Sequence, residues 1–418
     1  MKKSDVIVIG AGLAGLTAAA AVSLQGHSVT LLAKGAGTLA FGGGTIDVLG
    51  CYDGRGLRSP KLGFEALPAH HPYTIAGKQG VIEAMFFFQK LCSEAGYPLE
   101  GSLESNVWVP TVAGTFKPSC LVPKTMSAAD LAKADHIQLA AFAGLKDFYP
   151  SMIVKGFQRV ALYAGKAYHT VPVETHLAPG RDITVLDIAR WMNTMAGQNN
   201  FVSQVKEQIA PGSYLLVPPV LGTEPNYDIW QHLQERLNCR IIEMAAPPPG
   251  ITGMRLRTLL LHLLKKQKIA LIEQAHVSQA EIQSGCCKSV TTKHFGRERT
   301  YEGDAFILAT GGFLGGGLVA EPLAVKEAIF GLPVASMLAA EQAAGDGLLN
   351  AGPVFQSGVN VDEKMRPLDL HGNLVLENVH LAGNILAGYD YCAEKSGNGV
   401  AVVTAYRAAM AAVGREQL

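Results

Sequence analysis

The 418-residue sequence is 48% hydrophobic and 17% charged, and its Lys+Arg and Asp+Glu counts, 35 each, give a formal net charge of zero. This composition suits a large α/β core with room for two or three domains, argues against disorder, and gives no electrostatic pointer to nucleic acid or an acidic surface. Seven scattered cysteines with no C-x-x-C pair provide neither a zinc motif nor a cysteine-ligated iron–sulfur motif and fit a reducing cytoplasm, and no stretch reaches the ~18 apolar residues of a membrane span.

The chain opens on Val6–Ile9, four β-branched residues that predict a strand buried on both faces. It is too short for the apolar core of a signal peptide. Gly10, Gly12 and Gly15 follow in G-x-G-x-x-G spacing, then an Ala/Leu-rich helix over Leu13–Leu24 and a second strand over Ser28–Ala33. In such a βαβ unit the first glycine allows a sharp turn and the second lets a phosphate approach the backbone. The third lets the helix pack closely on the sheet, and the helix N-terminus offers free N–H groups to the anion. The reading is a site for a nucleotide-bearing cofactor.

After the second strand come Lys34 and a glycine-rich run containing Gly42, Gly43 and Gly44, placed where a flat ligand is expected to extend. Gln79–Ala95 predicts a largely buried helix. From about Pro98 the pattern changes: short strands over Trp108–Thr115, a strand and turn over His136–Asp147, a helix over Arg159–Tyr168, a strand over Thr170–Glu174, a helix over Asp182–Met195, a strand over Ser213–Pro219, a helix over Asp228–Leu237 and a strand over Arg240–Glu243. This is a second α/β layer inserted into the first. Pro247–Pro249 make a stiff connector, followed by a helix over Met254–Lys266 and a strand over Ile269–Glu273. A hairpin over Val277–Ile282 and Ser289–Phe295, a strand from Asp304 into Gly311-Gly312, the segment Val379–Asn384, a glycine-punctuated loop and an Ala-rich helix over Asn398–Val413 complete the chain. The most apolar region, Ala305–Ala340, is broken by glycines, charges and Pro322. The expected domains are 1–74 and 249–418, flavin-binding, around an inserted α/β cap domain, 75–248.

Three segments resemble the flavoproteins related to fumarate reductase flavoprotein subunits: the opening glycine motif, Ala309-Thr-Gly-Gly312, and Leu381-Ala-Gly-Asn384 with Gly397-Asn-Gly399. The resemblance implies a Rossmann-like flavoprotein fold, with Gly311, Gly312, Gly383, Asn384, Gly397 and Gly399 joining Gly10, Gly12 and Gly15 around the cofactor. Over nearly the whole chain, Pro68-Ala-His-His-Pro-Tyr73, Gly144-Leu-Lys-Asp-Phe148, Asp187-Ile-Ala-Arg190, Pro249-Gly-Ile-Thr-Gly-Met-Arg255, Gly311–Glu321 and Leu386-Ala-Gly-Tyr-Asp390 are similar to the B-subunit family of anaerobic glycerol-3-phosphate dehydrogenases. That family implies an FMN-bearing subunit of an A/B/C complex. The complex oxidises glycerol 3-phosphate to dihydroxyacetone phosphate, and a C subunit carrying iron–sulfur clusters meets the membrane and the quinone pool. The chain is then expected in the cytoplasm, held at the inner membrane face by its partners.

Such chemistry needs a base and cations for the phosphate. Arg255, at the start of a helix after Gly253, and His71 are the candidates advanced, with Lys124, Lys146 and Arg190 behind them; His71 before Pro72 also reads as a turn organiser, and Asp47 and Asp390 as turn-stabilising residues. No metal site is expected. A flavoprotein-fold scaffold without substrate chemistry, and a stand-alone flavin oxidoreductase, are the alternative functions. For the cofactor, Ala33 stands where an acid normally receives the adenosine ribose hydroxyls, and Lys34 beside it suits a terminal phosphate. The expectation is FMN, with FAD as the alternative.

Overall fold

The computed structural model describes residues 2–177, 180–210, 212–294, 297–321, 324–335 and 356–415. In chain order the principal elements are β1 (Lys2–Ile9), α1 (Leu13–Leu24), β2 (Val29–Ala33), α2 (Pro72–Glu94), β3 (His136–Phe142), α3 (Pro150–Phe157), β4 (Ala167–Val173), α4 (Val185–Met192), α5 (Met195–Val205), β5 (Tyr214–Val217), α6 (Asp228–Leu237) and β6 (Arg240–Glu243). They continue with α7 (Ile251–Lys266), β7 (Ala270–Glu273), β8 (His276–Gln283), β9 (Cys286–His294), β10 (Arg297–Leu308), β11 (Val379–Leu381), α8 (Tyr391–Glu394) and α9 (Gly397–Ala412). The chain divides into two units, 1–38, 47–91 and 260–418 against 39–46 and 92–259.

In the first unit, parallel strands lie in the order β7-β2-β1-β10-β11, and β10 also carries the antiparallel ribbon β9-β8. Val6–Ile9 are fully buried, as are Leu31–Ala33 and Ala305–Leu308, which explains apolar runs without alternation. Helix α1 has no apolar stripe because both its faces are covered: Leu13 to Val22 are all buried, and it packs against α9. The strand order runs outward from β1 through β2 to β7, then resumes on the other side of β1 with β10. The order therefore reverses between β1 and β10, and the crevice at their carboxyl ends is where open α/β sheets bind ligands.

The second unit has a four-stranded parallel sheet, β4-β3-β5-β6. One face packs Phe142, Val173, Leu215 and Ile241 against α4, α5 and α6; the other packs Ile137, Leu139, Leu216 and Ile242 against Phe148, Ile153 and Phe157.

The elements differ from the sequence expectation in three places. The helix expected over Arg159–Tyr168 is absent: turns lead into β4, and the helix lies earlier, as α3, where Pro150 occupies its first turn. Asp182–Met195 is shorter, because Asn193 and Thr194 break it and Thr194 caps α5. Helix α2, expected to begin the insert, belongs to the first unit through Leu91. There Phe87 stacks on Tyr406 (5.0 Å between centroids) and Tyr73 bonds Val48 and Ser396. That helix is also less buried than expected, with Ile82 and Phe86 exposed, and it is interrupted at Gly77. Phe295, Pro322 and residues 336–340 of the apolar stretch lie outside the described residues. No helix among the described residues is long and apolar enough to cross a membrane.

Candidate functional site

The site is built at the reversal point. Gly10 has φ +111°, and a Cβ there would stand 2.3 Å from the Ala309 carbonyl oxygen, so the turn out of β1 is pressed against the end of β10. A Cβ on Gly15 would stand 1.7 Å from the Gly10 carbonyl oxygen, which is the close helix–strand approach the spacing predicts. Gly12 differs. It is the N-cap of α1 in extended geometry, nothing lies within 4 Å of where its Cβ would be, no side chain caps the helix, and the first turn contains no acid. The helix therefore presents an open face and an uncompensated positive end.

The other segments close on this turn. Gly312 lies against Asn384, a Cβ there being 2.8 Å from the Asn384 carbonyl oxygen, and Gly383 (φ +79°) lies beside Ala14 in the first turn of α1. The Gly383 N–H donates to Thr404 Oγ1 (2.9 Å), and Asn384 Oδ1 accepts from Tyr389 Oη (2.8 Å). Gly397 sits 3.8 Å from Asn384 Oδ1, again by its absent Cβ. Gly399 is confined by Tyr73 Oη and Val48, and its N–H donates to the Asp47 carbonyl (2.9 Å). Helix α9, like α1, begins with no side-chain cap and no acid in its first turn. The first unit thus brings together Gly10, Gly12, Gly15, Gly311, Gly312, Gly383, Asn384, Gly397 and Gly399.

These residues fit a flavin phosphate. The space at Gly12 is open, and the α1 N–H groups face it uncapped. Sequence reasoning missed Gly37, whose φ of +68° and close approach to the Gly12 Cα fold the loop after β2 against the turn.

Gly42, Gly43 and Gly44 belong to the second unit. A Cβ on Gly44 would stand 2.5 Å from the Thr252 carbonyl, Gly250 and Gly253 abut the Gly42 carbonyl, and Thr252 Oγ1 donates to the Gly43 carbonyl (2.6 Å). Close packing on the first turn of α7 accounts for this run without a flat ligand; only at Gly43 is the space open.

Both catalytic candidates are internal, which corrects the expectation that they face a substrate. Arg255 is 1% exposed; its Nη1 and Nη2 donate to the two Glu243 carboxylate oxygens (2.6 and 2.9 Å) and its Nε to the Gly222 carbonyl (2.9 Å). Burial pushes the Glu243 carboxyl up, but the Arg255 charge and its hydrogen bonds, with the Leu221 N–H, outweigh burial and hold it below its ordinary value. Glu243 ends β6 directly after the buried Ile241 and Ile242, a signal passed over in the sequence. His71 is fully buried: its Nδ1 accepts the Tyr73 N–H (3.0 Å) at the start of α2, and its Nε2 lies 3.1 Å from Glu394 Oε2. The turn-organising reading describes its geometry. Lys146 pairs with Asp182 at the surface (2.6 Å), Lys124 lies over the Tyr227 ring, and Arg190 is exposed on α4. Asp390 caps α8 through the Cys392 and Ala393 N–H groups. Among the described residues no group of three or more His, Cys, Asp or Glu side chains is arranged to hold a metal ion.

The chain is 29% identical to the probable B subunit of anaerobic glycerol-3-phosphate dehydrogenase from Halobacterium salinarum, over 98% of each sequence. It is 28% identical to the B subunit of anaerobic glycerol-3-phosphate dehydrogenase from Vibrio vulnificus, over 100% of this chain and 98% of that one. Among solved structures, 3-ketosteroid delta1-dehydrogenase from Sterolibacterium denitrificans aligns over 99% of this chain and 100% of its own, at TM-score 0.48 and 11% identity. The family model described as FAD binding domain matches residues 5–400 and so spans all three glycine segments of the site. The chain belongs to that family of flavin-dependent oxidoreductases.

Proposed function

We propose that this chain is the flavin-bearing B-type subunit of an anaerobic glycerol-3-phosphate dehydrogenase. The observation that carries the proposal is the convergence of the glycine segments on the uncapped start of α1, in a chain similar from end to end to proteins of that name. The complex oxidises glycerol 3-phosphate to dihydroxyacetone phosphate and passes electrons to the quinone pool through an A subunit and an iron–sulfur C subunit, which also hold this chain at the membrane. A bound flavin supplies the electron-accepting chemistry. This chain's residues bind and orient it: the α1 N–H groups hold phosphate, and Asn384 and the start of α9 line the neighbouring wall. With Arg255 and His71 committed internally, the substrate hydroxyl is deprotonated on a partner subunit. Glycerol 3-phosphate is therefore expected to bleach the flavin of this chain only when the partners are present; rapid bleaching of the isolated chain contradicts the assignment.

The flavin in this reading is FMN. Ala33 is buried and offers no acceptor to a ribose diol, while Lys34 is exposed at the end of β2. One observation favours FAD instead. In the parallel pairing of β7 with β2, Glu273 is the register partner of Ala33; it is exposed and has no hydrogen-bond or ion-pair partner among the described residues. Strands about 4.8 Å apart put that carboxylate within reach of a ribose beside Ala33. Flavin released by denaturation and separated chromatographically decides between them. FMN, with affinity lowered about fivefold in Lys34→Ala (about 1 kcal/mol, as for an exposed ion pair), supports the first reading. FAD, with affinity lowered in Glu273→Gln, replaces it with the second.

A further inference from the structure

We infer that His71 is a positioning residue for the flavin site and acts through Glu394; the inference rests on the flavin reading above. The two ring nitrogens have separate tasks. Nδ1 accepts the Tyr73 N–H (3.0 Å), so it carries no proton, and the ring proton on Nε2 is donated to Glu394 Oε2 (3.1 Å). As the residue before Pro72, His71 needs only the first bond to cap α2. The second reaches 323 residues along the chain, and capping does not require it.

Glu394 is the hub. Its Oε2 also accepts from Ser396 Oγ (2.9 Å), and its Oε1 accepts from the Asp390 N–H (3.0 Å). Ser396 is the N-cap of α9 and makes no side-chain cap bond; its hydroxyl donates to Glu394. Tyr389, fully buried, has its hydroxyl pushed well above its ordinary pKa by burial and then by the Glu394 charge, and it donates to Asn384 Oδ1 (2.8 Å). The backbone carbonyls of Glu394 and Lys395 accept from the Gly50 N–H, and Tyr73 Oη donates to the Val48 and Ser396 carbonyls. One buried imidazole thus holds, through one carboxylate, both the chain entering α9 and the chain leaving Asn384. Those are two walls of the glycine-lined site. Glu394 Oε2 also receives the hydroxyl of Ser396, the N-cap of α9, so its charge lies at the entry to that helix, and the Nε2–H donor compensates part of it there. Without that donor, the carboxylate is less compensated at that helix end.

The two tasks separate by substitution. In His71→Asn, the amide oxygen stands where Nδ1 was and keeps the cap of α2 but does not reach Glu394. In His71→Gln, the amide nitrogen stands near Nε2 and keeps the donor to Glu394 but loses the cap. The experiment measures flavin content, thermal unfolding and the midpoint potential of the bound flavin in the wild type, both variants and Glu394→Gln. Wild-type flavin content comes first: a folded wild-type chain without flavin overturns the flavin reading and this inference with it. Given bound flavin, His71→Asn is expected to unfold near the wild type but to lower the midpoint potential. The expected size is a tenfold change in the oxidised-to-reduced ratio, about 30 mV for a two-electron couple. His71→Gln is expected to be less stable with a potential close to wild type, and Glu394→Gln, which removes the charge, to raise the potential. A wild-type potential in His71→Asn, or equal shifts in the Asn and Gln variants, assigns His71 to capping alone and overturns the inference while leaving the flavin reading intact. If neither His71 variant folds, Glu394→Gln decides, because an unchanged potential in that variant also overturns it.

Discussion

Gly12→Val is expected to abolish flavin binding in a chain that folds and unfolds like the wild type, whereas Gly15→Val is expected to lose the fold. The two glycines are three residues apart in one motif, yet their surroundings differ. Gly12 has φ −78° and ψ −174°, which valine adopts without strain, and the space its side chain would enter is bounded by no protein atom within 4 Å. The branched side chain starts into the space that a phosphate needs. Excluding a phosphate from two or more charge-assisted hydrogen bonds, each worth about 1.5–3 kcal/mol, weakens binding by about a hundredfold or more. At Gly15 the first added carbon overlaps the Gly10 carbonyl oxygen, a backbone atom held by the β1–β10 contact, so the helix must move off the sheet. Overpacking of this kind costs about 1–3 kcal/mol and more where backbone must shift. Flavin titration by fluorescence, with thermal unfolding of the same samples, checks the pair. Wild-type flavin affinity in Gly12→Val places the phosphate elsewhere.

Arg255→Leu is expected to be the most destabilising single change in the second unit. Breaking a buried ion pair leaves an uncompensated charge and costs about 3–5 kcal/mol, far more than loss of an exposed pair such as Lys146–Asp182. The Arg255→Leu/Glu243→Leu double variant is expected to recover part of that loss, because what is costly is the orphaned carboxylate. The pH dependence carries the sign. In the wild type the folded Glu243 carboxyl lies below its ordinary 4.5, so its stabilisation is present above that pH and is lost as pH falls through the folded value. In Arg255→Leu the guanidinium charge and its two hydrogen bonds are gone, burial outweighs the remaining Leu221 N–H bond, and the folded value is expected to rise above the unfolded one. The carboxyl is then best tolerated neutral, and stability declines as pH rises through the raised value. Denaturant unfolding of both proteins from pH 8 down to about pH 3 should therefore show opposite trends toward acid. Parallel trends would contradict the assignment of Arg255 to an internal pair.

Local patterns were legible where sequence neighbours set the structure. The β1–α1–β2 unit, α6 and β6 appear where periodicity and turn residues put them, and Gly10 and Gly15 serve as the spacing requires, since every contact involved is with the adjacent strand or helix. The Arg159–Tyr168 segment misled because its apolar residues serve tertiary packing rather than a helix face: Tyr163 stacks on Phe116 and Phe157. The run Gly42–Gly44 shows a related ambiguity. Glycine is needed equally for a flat ligand and for another backbone, and the partner, Gly250–Gly253, lies more than two hundred residues away in sequence. Arg255 and His71 show the limit most clearly. A cation or imidazole near a glycine reads as chemistry until its partner is known, and Glu243 and Glu394 were identifiable as partners only once the strands and loops had been folded together.

The central claim is that this chain holds a flavin phosphate at Gly12, and the visible absorption spectrum of the purified chain tests it most directly. The account predicts resolved flavin bands, retained on gel filtration at a stoichiometric flavin-to-protein ratio and absent from folded Gly12→Val. A folded, colourless wild-type chain that takes up neither FMN nor FAD when titrated would contradict it.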